Sequence, residues 1–489
     1  MARHDRYPKR TRKFEIPSQE QEFSEDFIRE QIRIAAERTP SRYHTGEPCG
    51  KPGTVNDAFA SEVYKYMMDH CNPNNVDGHM FLGSYELERE SMVMTAHLLG
   101  LQGEEVRKST GFFLSGGTES TNQAIWTFRN KFYSQKGIDV RKEGFLGMAR
   151  AGVTPKILAP IDSHFSMEKG TDIFGLGTDS VAFYGLDQDY STDLDDLAKR
   201  LEQEYRQGNE LMINWVVVGD TVKGKLHDVK AITEVVSELS EKYDKPVPPT
   251  VIDAAGQYLF LSLMKDSDKY GGDIPSWNFE VPEVSAVICD AHKNQIPYGT
   301  GMVIFRDARD TLFTNFATDY LSTDMLDGVS SLSEDEIVLA QVLATIPTSR
   351  GGYGPAATWA YYMKYGMEGM REKKEHIWEV TKGFRDSVEA STDYELVYEP
   401  QTANVVFRLN PEIFDPELNQ VVYRNINNSE EHGFYIGHDC GGLARSLEER
   451  KMQGSQNYVL YANIMDHNST DSMNTLMQVL NVEAERLKR

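Results

Sequence analysis

Apolar and polar positions divide this chain into three zones. From about Leu82 to Pro347, short apolar runs alternate with longer stretches whose apolar residues recur at helical spacing. The runs include Lys156 to Ala159, Trp215 to Val218, Thr250 to Ile252, Ala286 to Cys289 and Met302 to Phe305. A short, continuous apolar run suits a strand buried on both faces. Leu194 to Gln207 and Val229 to Tyr243 are helical stretches between such runs. Strand–helix alternation predicts an α/β fold, a mainly parallel sheet covered by helices. In such sheets ligands lie beyond the carboxyl ends of the strands. Polar residues at those ends are therefore the candidates for chemistry.

The flanking zones read differently. Residues 18 to 38 predict a helix, with Ser18 and Gln21 at capping-box spacing and a stripe of Phe23, Phe27, Ile28, Ile32 and Ala35. Ser41 to Gly53 is punctuated by Gly and Pro and predicts a loop. This pair suits packing on a partner subunit and a plain surface helix equally. After Gly351-Gly352-Tyr353-Gly354-Pro355 the pattern predicts a helix over Ala356 to Glu375, strands over Asn404 to Leu409 and Asn457 to Ala462, and a last helix over Asp471 to Leu487. The division that follows is an N-terminal segment over 1–77, a large domain over 78–350 and a smaller C-terminal α+β domain over 351–489.

Composition narrows the partners. A chain of 489 residues, 40% hydrophobic and 26% charged, is ordinary for a soluble protein of more than one domain. A net charge of -24 makes nucleic acid and anionic membrane poor partners. The exception is local: Arg3, Arg6, Lys9, Arg10, Arg12 and Lys13 face Asp5 alone. No apolar core of a signal peptide follows, so this reads as a solvated tail. No run approaches the ~18 apolar residues of a membrane span. Cys49, Cys71, Cys289 and Cys440 are far apart and lack CxxC spacing. They read as free thiols in a reducing cytoplasm, with no metal site.

Three strand ends carry candidate chemistry. Lys293 follows the apolar run Val284 to Cys289 and precedes Gly299-Thr300-Gly301. A lysine between two buried strands is costly unless it has a partner or a covalent task. Asp253 ends the run Val251-Ile252. An amine and a carboxylate on neighbouring strand ends suit pyridoxal phosphate, the amine forming a Schiff base and the carboxylate holding the ring nitrogen protonated. The plain alternative is that any apolar strand can end in Asp. Ser115-Gly116-Gly117-Thr118-Glu119-Ser120 follows the run Phe112 to Leu114 and opens a helix, where backbone amides and the hydroxyls of Ser115, Thr118 and Ser120 suit a phosphate. An ordinary helix start is the alternative there. His164 sits where a strand meets a helix, as a structural cap or as a ring stacked on the cofactor. Ala255, two residues past Asp253 and so on the same side of a strand, suits the opposite ring face.

In order, these segments resemble the group II pyridoxal-phosphate amino-acid decarboxylases of fold type I, and among them the archaeal tyrosine/aspartate decarboxylase branch. The resemblance runs from about Gly78 to the C-terminus. It is carried by Ser-Gly-Gly-Thr-Glu-Ser at 115–120, Ser-His-Phe-Ser-Met-Glu-Lys at 163–169 and Gly-Asp-Thr-Val-Lys-Gly at 219–224. Asp-Ala-Ala at 253–255, Asp-Ala-His-Lys at 290–293, Asp-Tyr-Leu-Ser at 319–322 and Thr-Ser-Arg-Gly-Gly at 348–352 complete it.

The resemblance implies that Lys293 binds the cofactor covalently, Asp253 partners its ring nitrogen, His164 stacks on one face and Ala255 packs on the other. It gives the phosphate to Gly116, Gly117, Thr118 and His292, and puts Thr221 near the 3′-oxygen. Tyr320 matches a mobile-loop tyrosine that reprotonates the substrate carbon in the neighbouring subunit. Gly351 and Gly352 complete the phosphate pocket across a homodimer interface. One position departs from the pattern: Tyr461 stands where the family usually has an arginine for the substrate α-carboxylate. Arg42, His44, His79 and Arg445 are the candidate replacements. The implied activity is decarboxylation of an L-amino acid, aromatic ahead of aspartate or glutamate, with Tyr43, Tyr258 and Tyr298 as candidate pocket walls. A pyridoxal carbon–carbon lyase and a catalytically silent homologue remain as alternatives.

Overall fold

The computed structural model describes residues 56–76, 80–315, 344–429, 434–439, 444–451 and 458–489. The helix expected over 18–38 and the loop after it lie outside them. The apolar runs form one seven-stranded sheet of β1 (Thr110–Leu114), β2 (Pro155–Pro160), β3 (Val181–Tyr184), β4 (Glu210–Val217), β5 (Thr250–Asp253), β6 (Val284–Asp290) and β7 (Gly301–Phe305). Its order is β1-β7-β6-β5-β4-β2-β3. Strands β2 to β6 pair in parallel, and β7 alone runs against its neighbours β6 and β1.

Continuous apolar runs are needed here because both sheet faces are covered. Val216, Ile252, Val287 and Ile304 point into one core, while Val217, Val251, Ile288 and Val303 point into the other. Helix α1 (Ala58–His70) packs on the later helix Tyr353–Glu389, and the sheet is covered by α2 (Leu82–Leu98), α3 (Gly117–Ser134), α4 (Ser166–Ile173), α5 (Leu194–Arg206) and α6 (Val229–Lys242). Aspartate caps start three of them: Asp57 accepts from Phe59 N and Ala60 N, Asp193 from Asp196 N, and Asp228 from Ala231 N.

The long helix α7 (Tyr353–Glu389) exceeds the expected Ala356 to Glu375. Gly366 sits inside it at φ 56°, a conformation that favours glycine, so one continuous segment bends and serves two neighbourhoods. Before the bend, the Tyr362 hydroxyl meets Tyr258 at 3.2 Å. After it, Phe384 packs on Phe407 of a second sheet with ring centroids 5.7 Å apart. That sheet is antiparallel, ordered β10-β11-β9-β8, from β8 (Tyr394–Leu396), β9 (Asn404–Leu409), β10 (Gly437–Asp439) and β11 (Val459–Asn463). Helices α8 (Leu418–Asn428) and α9 (Thr470–Leu487) cover one face, to which Val405, Phe407, Leu460 and Ala462 contribute. Val406, Val459 and Tyr461 occupy the other face and meet Val222, in the loop after β4. Among the described residues no helix is long and apolar enough to cross a membrane.

Candidate active site

The carboxyl ends of β2, β4, β5 and β6 and the inner face of the small sheet enclose a cavity of about 690 Å³. Lys293 enters from the 3-10 turn Ala291–Lys293 that ends β6. Its Nζ lies 2.9 Å from Asp290 Oδ2. Burial pulls the ammonium pKa down, but the Asp290 carboxylate beside it outweighs burial and holds it above its ordinary value. Asp253 ends β5, next to Ile288 of β6. Its burial raises the carboxyl pKa, and the nearby His164 and Lys293 offset only part of this.

Two local expectations change. Ala255 lines the cavity, but not through strand alternation, because β5 stops at Asp253. Asp253 Oδ1 accepts from Ala255 N at 3.2 Å, and this turn delivers Ala255. His164 makes a local cap and also faces the cavity. Its Nδ1 accepts from Ser166 N at 3.2 Å at the start of α4, while the side chain lines the cavity. Burial lowers the imidazole pKa, and Asp253 works against that shift.

The glycine turn is closely packed. A Cβ on Gly117 would lie 2.9 Å from Asp290 Oδ2, and one on Gly301 would lie 2.5 Å from Gly116 Cα. The first-turn amides of α3 have no carbonyl partner within the helix and open on the cavity. Ser115, Gly116, Gly117 and Thr118 all line it, whereas Ser120 is buried and does not. His292 gives both its backbone N and its Nδ1 to Thr300 O, each at 3.0 Å, and its Nε2 lies 3.8 Å from Asp290 Oδ2. Burial lowers the pKa of this imidazole as well. The carbonyl of Thr221 accepts from Asn404 Nδ2 at 3.0 Å, tying the loop after β4 to the small sheet.

Lys293, Asp253, His164, Ala255, Gly116, Gly117, Thr118, Thr221, His292 and Tyr461 thus share one cavity. Gly351 and Gly352 do not line it; Gly351 bridges to Asn74, and a Cβ on Gly352 would strike Ser84. Tyr320, His44, His79, Arg42 and Tyr43 lie outside the described residues. Tyr258 is a core residue rather than a pocket wall, whereas Tyr298 stands at the cavity mouth, 82% exposed. Arg445 is not on the wall; it reaches Glu449 at 3.8 Å.

The wall also holds charges that the sequence reading missed. Lys223 Nζ lies 3.0 Å from Asp162 Oδ2, Lys374 Nζ lies 3.4 Å from Asp466 Oδ2, and Arg450 Nη2 lies 2.7 Å from Glu168 Oε2. A signal for one of them was present. Asp162 follows the apolar run Ile157 to Ile161 as Asp253 follows Val251-Ile252. The donor set suits pyridoxal phosphate: a part-buried amine, a buried carboxylate on the adjacent strand and a side-chain-free turn at a helix N-terminus. Asp290 Oδ1, buried without a hydrogen-bond partner among the described residues, lies beside that turn.

Comparison with known proteins agrees. Residues 56–410 match the family described as the pyridoxal-dependent decarboxylase conserved domain. The chain is 27% identical to a probable L-tyrosine/L-aspartate decarboxylase of Methanothermobacter thermautotrophicus over 368 residues, 75% of this chain and 84% of the relative. It is 25% identical to an L-aspartate decarboxylase of Thermococcus kodakarensis, over 73% of this chain and 78% of the relative. Among solved structures, Oryza sativa TDC with PLP and tryptamine superposes with a TM-score of 0.76 at 16% identity, covering 97% of this chain and 90% of that one.

Proposed function

The chain belongs to the pyridoxal-dependent decarboxylase family, and we propose that it removes the α-carboxyl group of an L-amino acid with an uncharged, aromatic side chain. It is a pyridoxal-phosphate-dependent carboxy-lyase of fold type I. The observation that carries the assignment of tasks is the meeting of Lys293, Asp253, His164 and the Gly116-Gly117 turn in one cavity.

Lys293 holds the cofactor through its amine nitrogen. Asp253 accepts a hydrogen bond from the protonated ring nitrogen, which gives a buried carboxylate a cationic partner. His164 and Ala255 would flank the ring. Gly116, Gly117, Thr118 and His292 would hold the phosphate, and Thr221 would serve the 3′-oxygen. When bound, pyridoxal phosphate accepts the electron pair that departing carbon dioxide leaves behind. Asp253 keeps the ring-nitrogen proton in place as that charge develops. Asp290 acts as counter-ion to the Lys293 ammonium and sets how readily it gives up its proton. Tyr320 delivers a proton to the substrate Cα once carbon dioxide has left. Tyr320 and the Gly351-Gly352 turn serve the neighbouring subunit of a homodimer, so each site is shared. The free thiols Cys71 and Cys289 suit a reducing cytoplasm.

Substrate choice rests on charge. Among the described residues of the wall, Lys223, Lys293, Lys374 and Arg450 each already face a carboxylate. Tyr461 is buried close to Asp439, and burial with that carboxylate pushes its hydroxyl pKa up. A second carboxylate, as in aspartate, meets acidic groups and paired cations. Phe260, Ile377, Ala403 and Ile464 give an aromatic ring apolar contact instead. Carbon dioxide release across a panel of amino acids tests this. Tyrosine or tryptophan should exceed aspartate in kcat/KM by about tenfold or more. A preference for aspartate would refute the selectivity, and no release from any amino acid would refute the decarboxylation. A carbon–carbon lyase acting on an amine without an α-carboxylate is favoured by Tyr461 alone, and aldehyde release without carbon dioxide would establish it.

A further inference from the structure

One cluster in the cavity wall has no part in those assignments. Lys223 is fully buried, with Nζ 3.0 Å from Asp162 Oδ2 and 3.4 Å from Asp220 Oδ1. His227 Nε2 lies 3.2 Å from the same Asp162 oxygen, and its Nδ1 lies 2.9 Å from Thr192 Oγ1. Asp162 Oδ1 has no hydrogen-bond partner among the described residues. Burying such a group is a poor route to stability, because removing these charges from water offsets most of their mutual attraction. An apolar trio of similar volume would serve packing at least as well. The value of the ions therefore lies in what they join.

They join the two segments that face the cofactor's ring. Asp162 precedes His164 by two residues, and Lys223 follows Thr221 by two. The loop between β4 and α6 is shaped from within by Asp220, whose Oδ1 accepts from Val222 N at 3.0 Å and Lys223 N at 2.8 Å. It is gripped from the small sheet by Asn404, whose Nδ2 donates to Thr221 O at 3.0 Å and Val222 O at 3.2 Å. A Cβ on Gly224 would strike Thr402, so the loop is pressed against that sheet. Without Lys223, the loop would keep its ties to itself, to the small sheet and, through His227, to Asp162. The Lys223 ammonium adds a tie to the end of β2, where His164 is held.

We propose that the buried Asp162–Lys223 pair is a clasp that fixes the separation of His164 from Thr221, and so positions the pyridoxal ring. Both are positioning residues acting through His164 and Thr221, whose cofactor contacts are those assigned above, and the inference rests on that assignment. Asp220 keeps its backbone donors when Lys223 is lost. The double variant Asp162→Asn/Lys223→Met therefore leaves no buried charge without a partner, and should fold with a Tm near the parent's.

The test compares holoenzymes. The visible circular-dichroism band of bound pyridoxal phosphate reports the asymmetry of its surroundings, and fluorescence titration of the apoprotein gives the cofactor Kd. The double variant should show an altered band and a Kd raised about tenfold or more, with kcat falling further than KM rises. Should it fail to fold, Asp162→Asn alone, in which Lys223 keeps Asp220, is read in the same two ways. A folded variant with the parent's band and Kd would overturn the clasp while leaving the cofactor assignment intact. A parent that yields no borohydride-fixed adduct on Lys293 would overturn both.

Discussion

The two walls of the cavity are built on different scales of sequence. On the large-sheet wall, Asp253 bonds Ala255 and His164 bonds Ser166, two residues away, and Lys293 pairs with Asp290, three away. On the small-sheet wall, Asn404 reaches Thr221 across 183 residues and Asn463 reaches the same carbonyl across 242. Lys374 finds Asp466 across 92. Chemistry that one sheet can present at its strand ends is encoded in short motifs. Selectivity that two sheets present together is encoded in their docking. The comparison predicts that changes on the first wall alter kcat, while changes on the second alter KM and substrate choice.

The largest effect should come from the short-range wall. Lys293→Ala should lower turnover by about 1000-fold or more, since it would remove the proposed covalent attachment and not merely a contact. The variant should stay soluble, because the side chain ends at the cavity and removal leaves Asp290 its place beside the glycine turn. Borohydride labelling of a different lysine in the parent would break the comparison at its root. Tyr320→Phe comes next. Amine release should fall about 100-fold, the usual scale for a positioned acid, with substrate binding little changed. Weaker binding with unaltered kcat would assign Tyr320 to packing.

How much could be read beforehand follows from the same contrast. Strand ends were legible because buried parallel strands leave polar residues only where they stop, as at Asp253 and just beyond β6 at Lys293. Local turns then changed the means of delivery without changing the destination, as at Ala255. The long-range partners left no local mark. Lys223 is an unremarkable lysine in a Gly-rich loop until Asp162 is brought to it, and Tyr258 looks like any pocket tyrosine until α7 buries it against Tyr362. The expected helix already passed through Gly366 but stopped at Glu375, whereas α7 runs on to Glu389, where Phe384 meets Phe407 of the small sheet.

A smaller change should separate the walls by kinetics. Tyr461→Phe removes one neutral hydrogen bond from the substrate end and should raise KM about fivefold, the scale of roughly 1 kcal/mol, with kcat nearly unchanged. An equal fall in kcat would place Tyr461 among the chemical groups.

The smallest expected effect compares two carboxylates with the same sequence signature. Asp162 and Asp253 both end apolar strand segments and both are buried, yet their acid responses should oppose one another. Burial raises the Asp162 carboxyl pKa, but Lys223 and then His227 outweigh it and leave it below the ordinary value. A depressed folded-state pKa adds stability that is present above the unfolded value near ~3.9 and is lost as pH falls through the folded value. For Asp253, burial wins and the pKa is raised. Its ionisation therefore subtracts stability from the apoprotein as pH rises from ~3.9 through the folded value. At pH 7, Asp162→Asn should destabilise the apoprotein by about 1–3 kcal/mol, since Lys223 keeps only Asp220. Asp253→Asn should stabilise it by about 1 kcal/mol, since asparagine can still accept from Ala255 N without the buried charge. Urea unfolding at pH 7 and below pH 4 measures both, and the difference between the variants should shrink in acid as the parent carboxyls protonate. Shifts of the same sign at pH 7 would mean that Asp253 is paired in the apoprotein after all. Its carboxylate would then serve the fold, and not be held at a cost to stability for the ring nitrogen it is assigned.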